Sequence, residues 1–164
     1  MKRQTLKQKV VTLLTLQKHV ADLKRSGKRI VTTNGCFDII HPGHVKNLAW
    51  ARAQGDVLIV GINSDASVRR LKGKTRPIVA QGGRAQVLAA LACVDYVFVF
   101  NEERPWRWIS QLQPDVHVKG AGSERSPLFK AERKVVEAAG GTMRLAPKIK
   151  GYSTTRIINR ILSL

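Results

Sequence analysis

Short apolar runs alternate with segments of helical periodicity along almost the whole of this 164-residue chain, and that alternation most narrows its possible folds. "KRIVTT" (28–33), "DVLIVGI" (56–62), "YVFVF" (96–100), "DVHVKG" (115–120) and "TMRLA" (142–146) read as strands. "DVLIVGI" is apolar on both alternating faces, as a strand covered on both sides requires. Residues 13–26 read as a helix with Leu13, Leu14, Leu16, Val20 and Leu23 on one face. Helices are also expected over 44–54, from a Ser64 or Asp65 cap through Leu71, and over Arg84–Ala92. Further helices should open at Pro105, cover 130–139 before Gly140 and Gly141, and follow a Ser153 cap through "TTRIINRIL". Strands alternating with helices of about ten residues predict a mainly parallel, doubly wound Rossmann-like α/β sheet. We read 1–164 as a single domain whose residues 1–27 form a helical lead-in.

In such sheets a ligand lies beyond the carboxyl ends of the strands, near the reversal in strand order. That rule selects the loops 33–44, 62–77, 119–128 and 149–155. The first contains neither G-x-G-x-x-G nor a P-loop. It carries Thr33, Asn34, Gly35, Phe37 and Asp38, then His41-Pro42-Gly43-His44 entering a helix. Gly43 lets backbone approach a ligand, and the helix start offers N–H groups and a positive dipole end to phosphate. Two imidazoles there can stabilise charge that builds up during phosphoryl-type transfer. Metal ligation competes, with Asp38 nearby, but needs a third ligand in a pocket loop. His19 falls in the first helix, His117 in mid-strand, and Cys93 at the wrong end of the sheet. A purely structural histidine pair is the third reading.

Other loops offer similar chemistry. Ser153, Thr154 and Thr155 begin a helix, as phosphate ligands or as an ordinary cap. The basic stretch "RRLKGKTRP" (69–77) brings Arg70, Lys72 and Arg76 to the ligand side, or is simply a solvated loop. Arg84 at a helix start is unfavourable for its charge, so an anionic partner is expected, from substrate or from protein.

Charge decides less than its size suggests. Twenty-nine Lys and Arg against 11 acids give +18 and a pI near 10.9, a field that attracts polyanions. The charges are spread along the chain and aromatics are 5%, without zinc-finger or RNP-like spacing, so nucleic acid is not the expected partner. No apolar stretch reaches the roughly 20 residues of a membrane span. The first 21 residues lack acids, as in transit peptides, but equally suit a basic amphipathic helix. Cys36 and Cys93 are too few for a disulfide framework, which favours a reducing, cytoplasmic setting.

"TNGCFDIIHPGHVKNLAWAR", "GDVLIVGINSDASVRRLKGKTRPI", "RAQVLAALACVDYVFVF", "PDVHVKG" and "GYSTTRII" together resemble the nucleotidyltransferases of the cytidylyltransferase superfamily. Within it the similarity is to the adenylyltransferases of ADP-heptose synthesis. It runs in order from about residue 10 to 162. The resemblance implies transfer of an adenylyl group from ATP to a sugar 1-phosphate, D-glycero-β-D-manno-heptose 1-phosphate, with release of pyrophosphate. It implies no covalent enzyme intermediate. It also implies His41, His44 and Lys72 as catalytic groups. Thr33, Asn34, Gly35, Phe37, Gly43, Lys119, Gly120, Ser153, Thr154 and Thr155 would bind nucleotide. Asp38, Asn63, Asp65, Arg70, Arg76 and Arg84 would contact the second substrate. Mg²⁺ would ride on the phosphates, with no protein metal site. A homodimer and a separate sugar kinase are implied partners.

Two stretches depart from the family pattern. "VKGAGSERSP" (118–127) stands where relatives read "VKGGDY", and "VAQGG" precedes Arg84 without the usual acids and proline. A cytidylyltransferase or FAD-synthetase type, and a nucleic-acid-binding module on the same fold, are the rival readings.

Overall fold

Every one of the seven residues of β2 (Val57–Asn63) is buried, and its two faces supply two separate cores. Leu58, Val60 and Ile62 pack with Leu48, Ala85, Leu88 and Val116 on one side. Val57 and Ile59 pack with Leu16, Val20, Phe98, Trp108 and Ile109 on the other. The period-two alternation of an apolar run thus forces helices onto both faces of the sheet. Each fully buried Leu, Ile or Val adds about 1.5–3 kcal/mol, so the two clusters together hold the layers.

The computed structural model describes residues 5–164. β1 (Ile30–Gly35), β2, β3 (Tyr96–Phe100), β4 (Val116–Gly120) and β5 (Thr142–Ala146) form one parallel sheet in the order β3-β2-β1-β4-β5. The expected Rossmann-like class is therefore the observed one. The helices are α1 (Leu6–Lys9), α2 (Leu13–Arg25), α3 (Pro42–Arg52), α4 (Asp65–Lys72), α5 (Gln81–Ala90), α6 (Trp106–Leu112), α7 (Pro127–Ala138) and α8 (Thr154–Leu162). The chain steps outward from β1 to β3, then returns to the far side of β1 as β4. The reversal opens a crevice at the carboxyl ends of β1 and β4.

Several boundaries differ from the sequence reading, each for a local reason. α5 begins at Gln81, so Arg84 lies within its first turn rather than at its start. α7 begins at Pro127 because the Ser126 hydroxyl caps it and proline suits the first helical position. Gly140, at a φ of 81°, follows its end in the left-handed conformation. The helix expected through Leu71 runs to Lys72, so the first four residues of the basic stretch, Arg69 to Lys72, form the last turn of α4 rather than loop. Leu14 is exposed on α2, whereas Leu16 and Val20 are buried. α2 thus packs into the second layer through one face. Val10 bridges to Val97 along the outer edge of β3, which shields that edge from stray pairing. Residues 1–4, part of the acid-free N-terminal stretch, lie outside the described residues. Among the described residues no helix is long and apolar enough to cross a membrane.

Candidate active site

The loop leaving β1 is shaped by two residues that would be unremarked in isolation. Phe37 adopts a φ of 47°, a left-handed conformation costing a non-glycine residue roughly 1–2 kcal/mol. Its buried ring rests against the His44 ring at 5.2 Å between centroids. Asp38 is nearly fully buried, accepts the Ile78 and Val79 N–H groups at 2.8 and 2.9 Å, and pairs with Arg76. Burial alone would raise its pKa, but these donors and the Arg76 charge hold the carboxyl below its ordinary range. One carboxylate therefore pins the loop after α4 to the loop after β1.

His41 is the N-cap of α3, and its Nδ1 accepts the His44 N–H at 3.3 Å. That bond makes Nδ1 the unprotonated nitrogen and leaves the proton on Nε2. The two imidazoles stack at 3.7 Å with 15° between planes, and Tyr152 lies parallel to His41 at 6.3 Å. A Cβ on Gly43 would come within 3.0 Å of the His41 ring and 3.3 Å of Tyr152. Glycine is needed there for the segment before α8 to approach α3. The α3 start is less open to phosphate than expected. Pro42 has no N–H and His41 already takes that of His44, so Gly43 keeps the free donor.

α8 meets the same place. The Ser153 hydroxyl caps it by accepting the Arg156 N–H at 3.1 Å. Thr154 donates its hydroxyl to the Ile39 carbonyl at 3.3 Å, and Thr155 is exposed. Two helix N-termini, α3 and α8, thus converge beyond β1. Between α3 and the ends of β1 and β4 lies a pocket of about 150 Å³, walled by Asn34, Gly35, His44, Asn47, Gly120 and Ala146. Among the described residues His44 Nδ1 and Asn47 Oδ1, both buried there, have no hydrogen-bond partner.

A family model described as cytidylyltransferase-like matches residues 32–160, a span that holds this loop, most of β1, all of β4 and most of α8. The chain belongs to the cytidylyltransferase-like nucleotidyltransferases. The bifunctional protein HldE of Geotalea uraniireducens is 50% identical over 153 residues, 93% of this chain and 31% of that relative. HldE of Geobacter metallireducens is 52% identical over 139 residues, 85% of this chain and 28% of its own. The chain spans less than a third of the length of these curated relatives. A lipopolysaccharide core biosynthesis protein from Thermoplasma volcanium superposes with a TM-score of 0.63 at 25% identity, over 76% of this chain and 100% of that one. A pantoate-beta-alanine ligase from Francisella tularensis shares the fold with a TM-score of 0.64 at 15% identity, over 94% of this chain and 78% of its own.

In this nucleotidyltransferase the site residues named from sequence, Lys119 apart, divide into two groups. Thr33, Asn34, Gly35, Phe37, His44 and Gly120 line the first pocket, with His41, Gly43 and the Ser153–Thr155 turn beside it. Lys72, exposed at the end of α4, adds its charge to the same region: it acts with Arg84 and Arg76 against the upward, burial-driven shift of the Cys36 thiol. Each member of the second group has a partner within the protein. Asp38 pairs with Arg76, and Asp65 with Arg84 at 2.8 Å. The Arg84 guanidinium, fully buried, also donates to the carbonyls of Val79, Asn63 and Cys36. Arg70 bonds the Asn101 carbonyl and the Glu103 carboxylate, and Asn63 donates to Ser67 Oγ at 3.0 Å. Buried Asp38 and Arg84 need such partners because a charge removed from water does, whereas the Arg70–Glu103 pair is exposed. Among the described residues no three His, Cys, Asp or Glu side chains gather as a metal site.

Sequence reasoning missed Asn47 and Glu132. Asn47 could have been found, since it follows His44 by three positions on one helix face. Glu132 comes from the middle of α7, where nothing local separates it from a surface acid. It is buried, and its Oε1 accepts both Lys119 Nζ at 3.0 Å and His117 Nε2 at 3.2 Å. His117 Nδ1 meets the Thr32 hydroxyl at 2.7 Å, and Lys119 also donates to Asn34 Oδ1 at 3.0 Å.

Burial, helped by the neighbouring His41, lowers the His44 pKa from 6.5 to about 4. Burial likewise lowers that of His41. Both rings are therefore neutral near pH 7. Unfolded His44 takes up a proton near pH 6.5, the folded form only near pH 4, so the unfolded state binds more protons in between. Stability contributed by neutral His44 is complete above that window and falls as pH is lowered through it, by roughly 3 kcal/mol in all. His44→Gln should lose less stability across the same window. Urea titrations at its two ends measure this, and equal acid sensitivity of the two proteins would count against it.

Proposed function

We propose that the chain transfers the adenylyl group of ATP to a sugar 1-phosphate, D-glycero-β-D-manno-heptose 1-phosphate, releasing pyrophosphate. The observation that carries this reading is the pair of neutral stacked imidazoles set between two helix N-termini at the end of β1. Its support for heptose comes from the extent of the similarity to the HldE proteins. The first pocket is smaller than the about 300–1,000 Å³ of a site for a whole drug-sized ligand. It suits the nucleoside part, with the triphosphate lying across α3 and α8.

The sugar-phosphate oxygen attacks the α-phosphorus, the bond to the β-phosphate oxygen breaks, and pyrophosphate leaves. His41 Nε2–H and the His44 ring stabilise charge on the α-phosphate oxygens. The hydroxyls and N–H groups at the start of α8 hold the leaving phosphates, and Lys72 neutralises them from α4. Mg²⁺ bound to the phosphates would supply further neutralisation. Asp38 and Asp65, the carboxylates named from sequence here, are both tied to arginines. A sugar kinase would supply the 1-phosphate.

The test crosses ATP and CTP with heptose 1-phosphate, mannose 1-phosphate and glycerol 3-phosphate in Mg²⁺, reading pyrophosphate release. Turnover should be confined to ATP with the heptose ester. Turnover of CTP with glycerol 3-phosphate and none with ATP and heptose 1-phosphate would defeat the proposal.

A further inference from the structure

A second cavity, of about 260 Å³, opens on the other side of Asn34, between the end of α4, the segment before α6, and the start of α7. Asn34 lines both cavities, so a group held in one lies next to a group held in the other. Its upper walls are apolar: Leu71, Trp106, Leu128 and Phe129. Leu71 and Leu128 are 42% and 45% exposed, large apolar side chains left in water around a polar floor. Arg104 covers the Trp106 ring at 5.0 Å.

Asn34, Lys119 and Glu132 form a bonded polar floor, and Glu103 and Arg104 add one charge of each sign to the lining. Both protein hydrogen bonds to the Glu132 carboxylate fall on Oε1, from Lys119 and from His117. Among the described residues Oε2 has no hydrogen-bond partner, though the side chain is only 4% exposed and lines the cavity. Burial would favour the protonated acid, but the His117 N–H and the Lys119 charge hold the Glu132 pKa below its ordinary range. The titratable groups facing this carboxylate are His117 and Lys119, both from β4. His117 is neutral, its pKa lowered by burial and only partly restored by Glu132.

Lys119 and Glu132 together make the floor formally neutral, with one ionised oxygen left to accept. Such a floor is poorly suited to a phosphate, which the adjacent carboxylate would repel. It suits a hydroxyl, which donates to a carboxylate in a short, charge-assisted bond. The apolar and aromatic walls suit the C–H face of a ring.

We propose that Glu132 is a specificity-determining residue that reads a hydroxyl of the acceptor sugar in this second cavity. His117 and Lys119 hold the carboxylate in place, and the sugar phosphate points across Asn34 toward His41 and His44. This rests on the sugar-phosphate reading above, and it assigns a sugar-binding role to the α7 wall beside the altered 118–127 loop.

Glu132→Gln keeps the shape of the side chain and removes its charge. It should raise the KM for heptose 1-phosphate by about 10–100-fold, as loss of a hydrogen bond to a charged group does. The KM for ATP should change little, while the melting temperature should fall, because Lys119 loses a buried counterion. Analogues of heptose 1-phosphate that each lack one hydroxyl test the same contact in the unaltered protein. One of them should lose about tenfold in KM, and that loss should largely vanish in Glu132→Gln. An unchanged sugar KM in Glu132→Gln, or equal rises for sugar and ATP, overturns the inference while the functional reading stands. No hydroxyl mattering in the unaltered protein overturns it even if the variant misfolds. If the unaltered protein turns over no sugar phosphate at all, both fall together.

Discussion

Replacing His44 with alanine should lower kcat by about 10²–10³-fold, the usual cost of removing one donor aimed at developing negative charge. The reasoning starts from position. His44 lines the first pocket, stacks on His41, and keeps a buried Nδ1 with no hydrogen-bond partner among the described residues. A buried polar atom left unpaired costs free energy, and on the proposed reading a bound phosphate supplies the missing partner. His41→Ala should cost a similar factor and also about 1 kcal/mol of stability, because His41 caps α3. His41→Asn separates the two roles, since asparagine can cap a helix but cannot place the Nε2 donor. Stability should recover in that variant and turnover should not. Double replacement should cost less than the product of the single losses, as for groups acting as one unit. Steady-state kinetics with melting curves measure all four proteins. Turnover within threefold of the parent in folded His44→Ala would remove this loop from the reaction.

Arg84→Met should destabilise the fold by about 3–5 kcal/mol, the cost of removing one partner of a buried ion pair. The guanidinium is fully buried and makes four hydrogen bonds, to Asp65 and to the carbonyls of Val79, Asn63 and Cys36. These acceptors come from the ends of β1 and β2 and the starts of α4 and α5, so the arginine joins four segments around the site. Methionine fills much of the volume but leaves a carboxylate and three carbonyls without a donor. Arg84→Lys should recover only part of the loss, since one ammonium cannot reproduce the planar fork. Urea titrations give the values. A loss below about 1 kcal/mol for Arg84→Met would mean that water reaches the position, and would reopen the substrate contact suggested by sequence.

The order of elements was legible because its signals are local. An apolar run with both faces filled marks β2, and Ser153 before "TTRIINRIL" marks α8. The missed starts have local causes as well. "QGG" looks like a loop yet forms the first residues of α5, where burial of Ala85, Leu88 and Ala89 outweighs the glycine penalty. His41 and His44 were legible as a pair because one turn of helix fixes their neighbourhood. Their protonation state was not, since it depends on burial supplied by distant segments.

What the sequence determined by itself was therefore the parallel class, the loops that gather at one end of the sheet, and the histidine pair at the first of them. Local periodicity and capping decide those within a few residues of chain. Only the tertiary structure decided the partners of the charges. Asp38 and Arg76 are 38 positions apart, Asp65 and Arg84 are 19 apart, and Glu132 meets Lys119 from another element. In the unfolded chain water satisfies all of these groups equally, and burial alone forces each to find a particular counterion.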